Sequence, residues 1–261
     1  MEHLHHFFQY GPITAVVAYV MACVGAGLGL RCIVRAFATT GLAKQRWLLI
    51  GALAIGSGIW TMHLVAILGF GVDGSPVRYD VSLTLLSLVV AILLVAAGVF
   101  ALGYSSSRVR GAVLGGIGTG AGIVGMHYVG MSAMEIHGTL SYEIPTVVLS
   151  AAIAVGVAMA ALAVAFLTDS FRGTVLAALL MGAAASATEY AGIAALRLDI
   201  TPGTSVLPGA SAVEFVFPFI VVFGSFLFLS SAFVALSPIR HEPVAAATAT
   251  AAPSRDSNLA S

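Results

Sequence analysis

At 261 residues the chain has room for one or two domains, yet 59% of its residues are apolar and only 8% are charged. Together with a mean hydropathy of +1.04, that excludes a soluble globular protein and marks an integral membrane protein. The 11 Lys plus Arg balance the 11 Asp plus Glu, so no basic excess exists to neutralise a string of phosphates and nucleic acid is not an expected partner.

Residues 1–11 read as a short extracytoplasmic N-terminus. Its "MEHLHHFFQY" holds no Lys or Arg and lacks the basic flank of a secretory signal, so the first apolar span is expected to stay as an anchor. His3, His5 and His6 form an outward cluster that either collects metal or is unstructured decoration.

Seven apolar windows follow, at 12–34, 47–70, 81–104, 111–134, 146–167, 174–196 and 214–236, each long enough for a hydrocarbon core of about 30 Å. Windows of that length satisfy their backbone in lipid as helices. The predicted fold is all-α: a seven-helix membrane domain over 12–237, followed by a small, polar, disordered cytoplasmic tail over 238–261. Cys23 and Cys32 stand nine residues apart in the first window and read as small apolar fillers.

Arg31, Arg35, Lys44 and Arg46 lie between spans one and two, Arg108 and Arg110 between three and four, Arg172 between five and six, and Arg240 and Arg255 after seven. The opposite connections hold only Arg78 and Arg197. The positive-inside rule then places the N-terminus outside and the C-terminus inside.

The even-numbered spans repeat one another. "GSGIWTMHLVAILGF", "GAGIVGMHYVGMSAM" and "AAASATEYAGIAAL" align so that His63 precedes His127 by 64 residues and His127 precedes Glu189 by 62. Gly51, Gly56 and Gly58 fall on Gly115, Gly120 and Gly122 at the same 64-residue offset. One two-helix unit is used three times, with a seventh helix added. Parallel repeats place equivalent residues at equal depth, so His63, His127 and Glu189 are expected in one layer, about 24 Å from the inner end. Gly111, Gly115, Gly118 and Gly122 form a small-residue ridge, read as packing.

On the fourth span His127, Met131 and Met134 recur at helical spacing and form one stripe, with Met126 about 100° away. The corresponding stripes are His63, Ile67 and Phe70, and Glu189, Ile193 and Leu196. Imidazole with thioether suits copper; two imidazoles with one carboxylate also suit iron(II) or zinc. Singly, Met62, Met126, Met131 and Met134 read as gap-fillers. As a set, His63, His127 and Glu189 read as a site, because ionisable residues inside membranes are rare and usually functional. Tyr128 and Tyr190 stand beside the polar residue as its hydrogen-bonding support or as interface contacts.

At "MHYVGM" the chain resembles the MHYT domain, a bacterial seven-helix membrane module with a Met-His-Tyr-Thr signature repeated in alternate helices near the outer face. The resemblance covers about residues 10–237. It implies copper bound by Met and His residues, here Met62, His63, Met126, His127 and Met131, and a diatomic gas, oxygen, carbon monoxide or nitric oxide, as the signal. It also implies the bacterial inner membrane as the location. The first copy departs as "MHLVAI" and the third as "TEYAGI", with Thr188 and Glu189 in place of the Met-His pair. Glu189 then restores a third ligand, holds a proton, or marks a decayed position.

The leading expectation is a metal-dependent sensor that acts through a cytoplasmic or membrane partner, since none of the catalytic output domains common in that family follows the last span. Metal handling or transport is the alternative. An enzyme is not expected: no nucleophile with its base, no phosphate loop and no pair of haem histidines is present.

Overall fold

The computed structural model describes residues 12–72, 75–167, 170–201 and 206–236. Seven helices, each long and apolar enough to cross a membrane, dominate it: α1 (Pro12–Phe37), α2 (Gly41–Leu68), α3 (Val81–Tyr104), α4 (Arg108–Ser132), α5 (Ile144–Leu167), α6 (Phe171–Ala194) and α7 (Phe217–Leu236). This is a multi-pass, all-α membrane fold. The expectations for residues 1–11, for His3, His5 and His6, and for the tail over 238–261 lie outside the described residues.

Each predicted window falls on a helix, but α2, α4 and α6 start three to six residues early. A window of apolar residues stops at the charged first turn, whereas the backbone needs only a cap. Ser107 accepts from the Arg110 amide and Ser170 from the Gly173 amide, which starts α4 and α6 inside their basic turns. Their C-terminal ends are better matched. His63, His127 and Glu189 each stand five residues before the last residue of their helix, Leu68, Ser132 and Ala194. The shared depth is therefore set from the C-terminal end of each helix, about 7.5 Å at 1.5 Å per residue. The common 24 Å expected from the other end does not hold, because α2 has a longer N-terminal part.

Helices α2, α4 and α6 touch one another in the middle, and α1, α3 and α5 surround them in a ring that closes where α6 meets α1. Each inner helix packs on the next outer one through a glycine seven residues before its polar residue. A Cβ on Gly56 would strike Ile92 of α3, one on Gly120 would strike Val155 of α5, and one on Gly182 would strike Cys23 of α1. The three repeats thus use one contact around a common axis, which is what carries the polar residues to the centre. Helix α7 breaks the symmetry. It follows a π-helical turn, Ala212–Val216, and lies outside α1 and α2.

Short strands absent from the sequence reading join the loops after the inner helices. β1 (Arg78–Tyr79) pairs antiparallel with both β2 (Met134–Glu135) and β5 (Ala210–Ser211). β3 (Gly138–Tyr142) pairs antiparallel with β4 (Leu196–Ile200). With two to five residues each, they are too short for an alternating pattern to be read, but their backbone groups need partners all the same. They knit the loops of all three repeats over the polar layer. Tyr79, 1% exposed, donates its hydroxyl to the Ile67 carbonyl at 3.3 Å and ties this cap to α2.

Candidate metal centre

The three repeats bring His63 from α2, His127 from α4 and Glu189 from α6 into contact in a fully buried cluster, with exposures of 0%, 0% and 1%. His63 Nδ1 stands 2.8 and 2.9 Å from the two carboxylate oxygens of Glu189. His127 Nδ1 stands 2.9 Å from Oε2. One carboxylate between two imidazoles is satisfied when both Nδ1 atoms carry hydrogen and Glu189 accepts from each. The imidazole planes are nearly perpendicular, with centroids 5.6 Å apart.

That leaves His63 Nε2 and His127 Nε2, both buried with no hydrogen-bond partner. Each faces a glycine of the next inner helix: a Cβ on Gly130 would fall on His63 Nε2, and one on Gly192 would fall on His127 Nε2. Gly130 and Gly192 stand three residues after His127 and Glu189, and Ala66 holds the matching place after His63. The sequence reading missed this pair. The signal was present as a small residue at the third position after each polar one, but only a neighbouring helix gives it meaning.

The residues present could hold a metal ion: one donor atom from each of His63, His127 and Glu189 lies within 4.8 Å of the others, and an ion held there through Nδ1 would replace the hydrogens that the imidazoles otherwise donate to Glu189.

The thioethers divide. Met62, Met126 and Met131 are buried, at 0%, 0% and 1% exposure, on the inner helices within four residues of His63 or His127. Met134 is buried too, but α4 ends at Ser132 and Met134 belongs to β2, paired with Tyr79. The stripe predicted through Met134, and those through Phe70 and Leu196, therefore stop one turn early. Chain reversal into the cap ends the helical spacing on which they relied.

Tyr128 sets its ring edge-on to His127 at 4.8 Å and shares a hydrogen bond of 3.1 Å with Ser150 of α5. Tyr142 of β3 packs edge-on against Tyr128 at 5.4 Å, and burial pushes its phenol up from the ordinary value. Tyr190 is half-buried against the core. On the other side Trp60, three residues before His63, donates Nε1–H to Ser87 Oγ at 3.0 Å and to the Thr84 carbonyl at 3.2 Å. Its ring meets Phe219 and Phe223 of α7 at 5.7 and 5.2 Å.

A family model described as "MHYT: Bacterial signalling protein N terminal repeat" matches residues 56–116 and 120–178. The chain belongs to the MHYT family. The third copy, with Glu189, lies beyond the matched residues, and the closed ring of helices identifies it.

The MHYT chain is 34% identical over 214 residues to a protein of Pseudomonas aeruginosa named cyclic di-GMP phosphodiesterase NbdA, matching 78% of this chain and 26% of that protein. It is 34% identical over 197 residues to bifunctional diguanylate cyclase/cyclic di-GMP phosphodiesterase MucR of the same organism, matching 74% and 29%. Signaling protein YkoW of Bacillus subtilis is 30% identical over 130 residues, 48% of this chain and 16% of that protein. The chain thus spans between about a sixth and a third of the length of these relatives. No solved structure matches.

Proposed function

We propose that this chain is the sensing module of a membrane signalling system and that its buried cluster holds a transition-metal ion. The observation that carries the reading is the convergence of three ionisable side chains, from three helices, on one point sealed from solvent. Such residues are costly in lipid, and a cation supplies the charge that an ionised Glu189 requires. His63, His127 and Glu189 would hold the ion, and the neighbouring thioethers of Met62, Met126 and Met131 favour copper over iron or zinc. Tyr128 and Tyr190 act as the surrounding support, with Met134 buried in the strand cap.

When bound, the metal supplies an open position for a diatomic gas, which dissolves in the bilayer and reaches a buried site without an aqueous channel, or a redox change that serves as the signal. Output follows only if the ligand favours one helix arrangement over another. Trp60 supports such coupling, because it joins the His63 segment to α7. The names of the relatives support a cyclic di-GMP system as the context, with output from a partner at the cytoplasmic end. The cationic turns of α1, α2, α4 and α6 support the site facing the outer leaflet of the inner membrane.

Transport of the metal receives no comparable support: toward the other end the inner helices bury mainly glycine, alanine and isoleucine.

The test is elemental analysis with optical and paramagnetic spectra of the purified chain, before and after exposure to copper(I), iron(II) or zinc. About one copper per chain is expected, lost in the His63→Ala/His127→Ala double variant and perturbed by carbon monoxide or nitric oxide. Metal content equal to that of the double variant sinks the proposal.

A further inference from the structure

A furrow of about 550 Å³ runs along the outside of the bundle between α1, α6 and α7. Along α1 it extends from Tyr19 to Arg31, 12 residues or about 18 Å at 1.5 Å per residue. That is close to one leaflet of a hydrocarbon core about 30 Å thick. Its walls are Val20, Val24, Val175, Leu179 and Phe228, with Gly27 as part of the floor. At the far end from the metal centre Arg31 belongs both to this furrow and to a second, more polar recess of about 260 Å³ that Arg35, Ser170 and Thr174 help to line.

Arg31 stands six residues before the end of α1, where a guanidinium reaches the headgroup boundary. It lies over the Phe171 ring at 5.6 Å, and among the described residues no carboxylate forms a salt bridge with it. An apolar channel one leaflet long that ends at a guanidinium complements one kind of molecule in a membrane. We infer that the furrow between α1, α6 and α7 is a binding site for an anionic phospholipid, with one acyl chain lying along Val24 and Gly27 and the phosphate paired with Arg31. Basic pockets between spans recognise anionic headgroups in this way.

The site can be taken apart from either end. A Cβ on Gly27 would meet only the Ala178 methyl, at 3.7 Å, so Gly27→Leu starts a side chain into the furrow without a backbone clash and leaves the Arg31 charge unchanged. Arg31→Gln removes the charge and leaves the furrow. The experiment is native mass spectrometry of the full chain in nonionic detergent, titrated with dioleoyl phosphatidylglycerol or dioleoyl phosphatidylcholine, with thermal unfolding as a check on folding.

Tighter retention of phosphatidylglycerol is expected. Arg31→Gln should weaken it about five-fold, the worth of one cation near the membrane surface, and Arg31→Lys should restore most of the loss. Gly27→Leu should weaken both lipids. Arg46→Gln, on the exposed first turns of α2, should change nothing. Equal retention of the two lipids overturns the inference, as does an equal loss in Arg46→Gln, which would mean diffuse charge attraction. Competition by inorganic phosphate with no effect of Gly27→Leu also overturns it, by reducing the site to a free-anion contact. If Arg31→Gln does not fold, Gly27→Leu and Arg31→Lys still decide the matter.

Discussion

Helices α2, α4 and α6 form the centre of the molecule and are less apolar than any of α1, α3, α5 and α7 around them. A soluble protein sorts the other way. Lipid tails are as apolar as leucine, so burying leucine gains little, and what draws helices together is close approach of small residues and the pairing of polar ones. The inner helices accordingly bury Gly56, Gly58, Gly115, Gly120, Thr188 and the His63, Glu189, His127 cluster, while Leu93, Val148 and Phe228 face outward at 61% to 68% exposure.

The strongest way to break this contrast is to remove the acceptor at its centre. Glu189→Ala leaves two buried imidazole N–H groups without their shared acceptor, at a cost of about 1–3 kcal/mol for each, read as a fall in the unfolding midpoint in detergent. Glu189→Gln keeps one amide oxygen as acceptor and should fall between Glu189→Ala and the native chain. A midpoint unchanged in Glu189→Ala would mean that the cluster does not hold the inner helices together.

The glycines that face the imidazoles sharpen the same contrast. Gly130→Ala and Gly192→Ala place a methyl on His63 Nε2 and His127 Nε2; each should cost about 1–3 kcal/mol as overpacking and lower the metal content of the purified chain. Gly156→Ala, where a Cβ on outer helix α5 meets nothing, should leave both unchanged or gain slightly through helix propensity. Equal effects at all three positions would show that helix propensity, not proximity to the cluster, governs them.

Trp60→Phe follows in size. It keeps an aromatic ring against Phe219 and Phe223 but loses the bonds to Ser87 and Thr84, worth about 1 kcal/mol. The expected sign is faster cysteine cross-linking or proteolysis along α7, with metal content kept. Loss of metal without loosening of α7 would place Trp60 in the cluster instead of at its boundary.

The seven spans, their three-fold repetition and the shared layer were legible because hydropathy and a repeat offset of 62 to 64 residues are properties of the chain itself. Chemistry that depends on a neighbour was not. Nothing in the "MHYVG" of α4 says that its glycine answers to an imidazole 67 positions earlier, from Gly130 back to His63, or that Met134 turns into a strand. Hydropathy also ranked α7 with the other spans, yet α7 lies outside the ring, because the three-fold packing closes without it.

The smallest effect tests the premise behind all the others. Leu93 on α3 is 62% exposed to the outside of the bundle, where a bilayer would cover it. Truncating a leucine packed in a protein core to alanine costs about 2–5 kcal/mol. Here the side chain exchanges protein contact for lipid contact at almost no difference, so Leu93→Ala should shift stability by no more than about 0.5 kcal/mol. Unfolding in lipid nanodiscs is the measurement to use, because detergent alters the reference. A loss of 2 kcal/mol or more, the range for truncating a packed core leucine, would mean that α3 has a protein neighbour on that face and that a second chain packs against it.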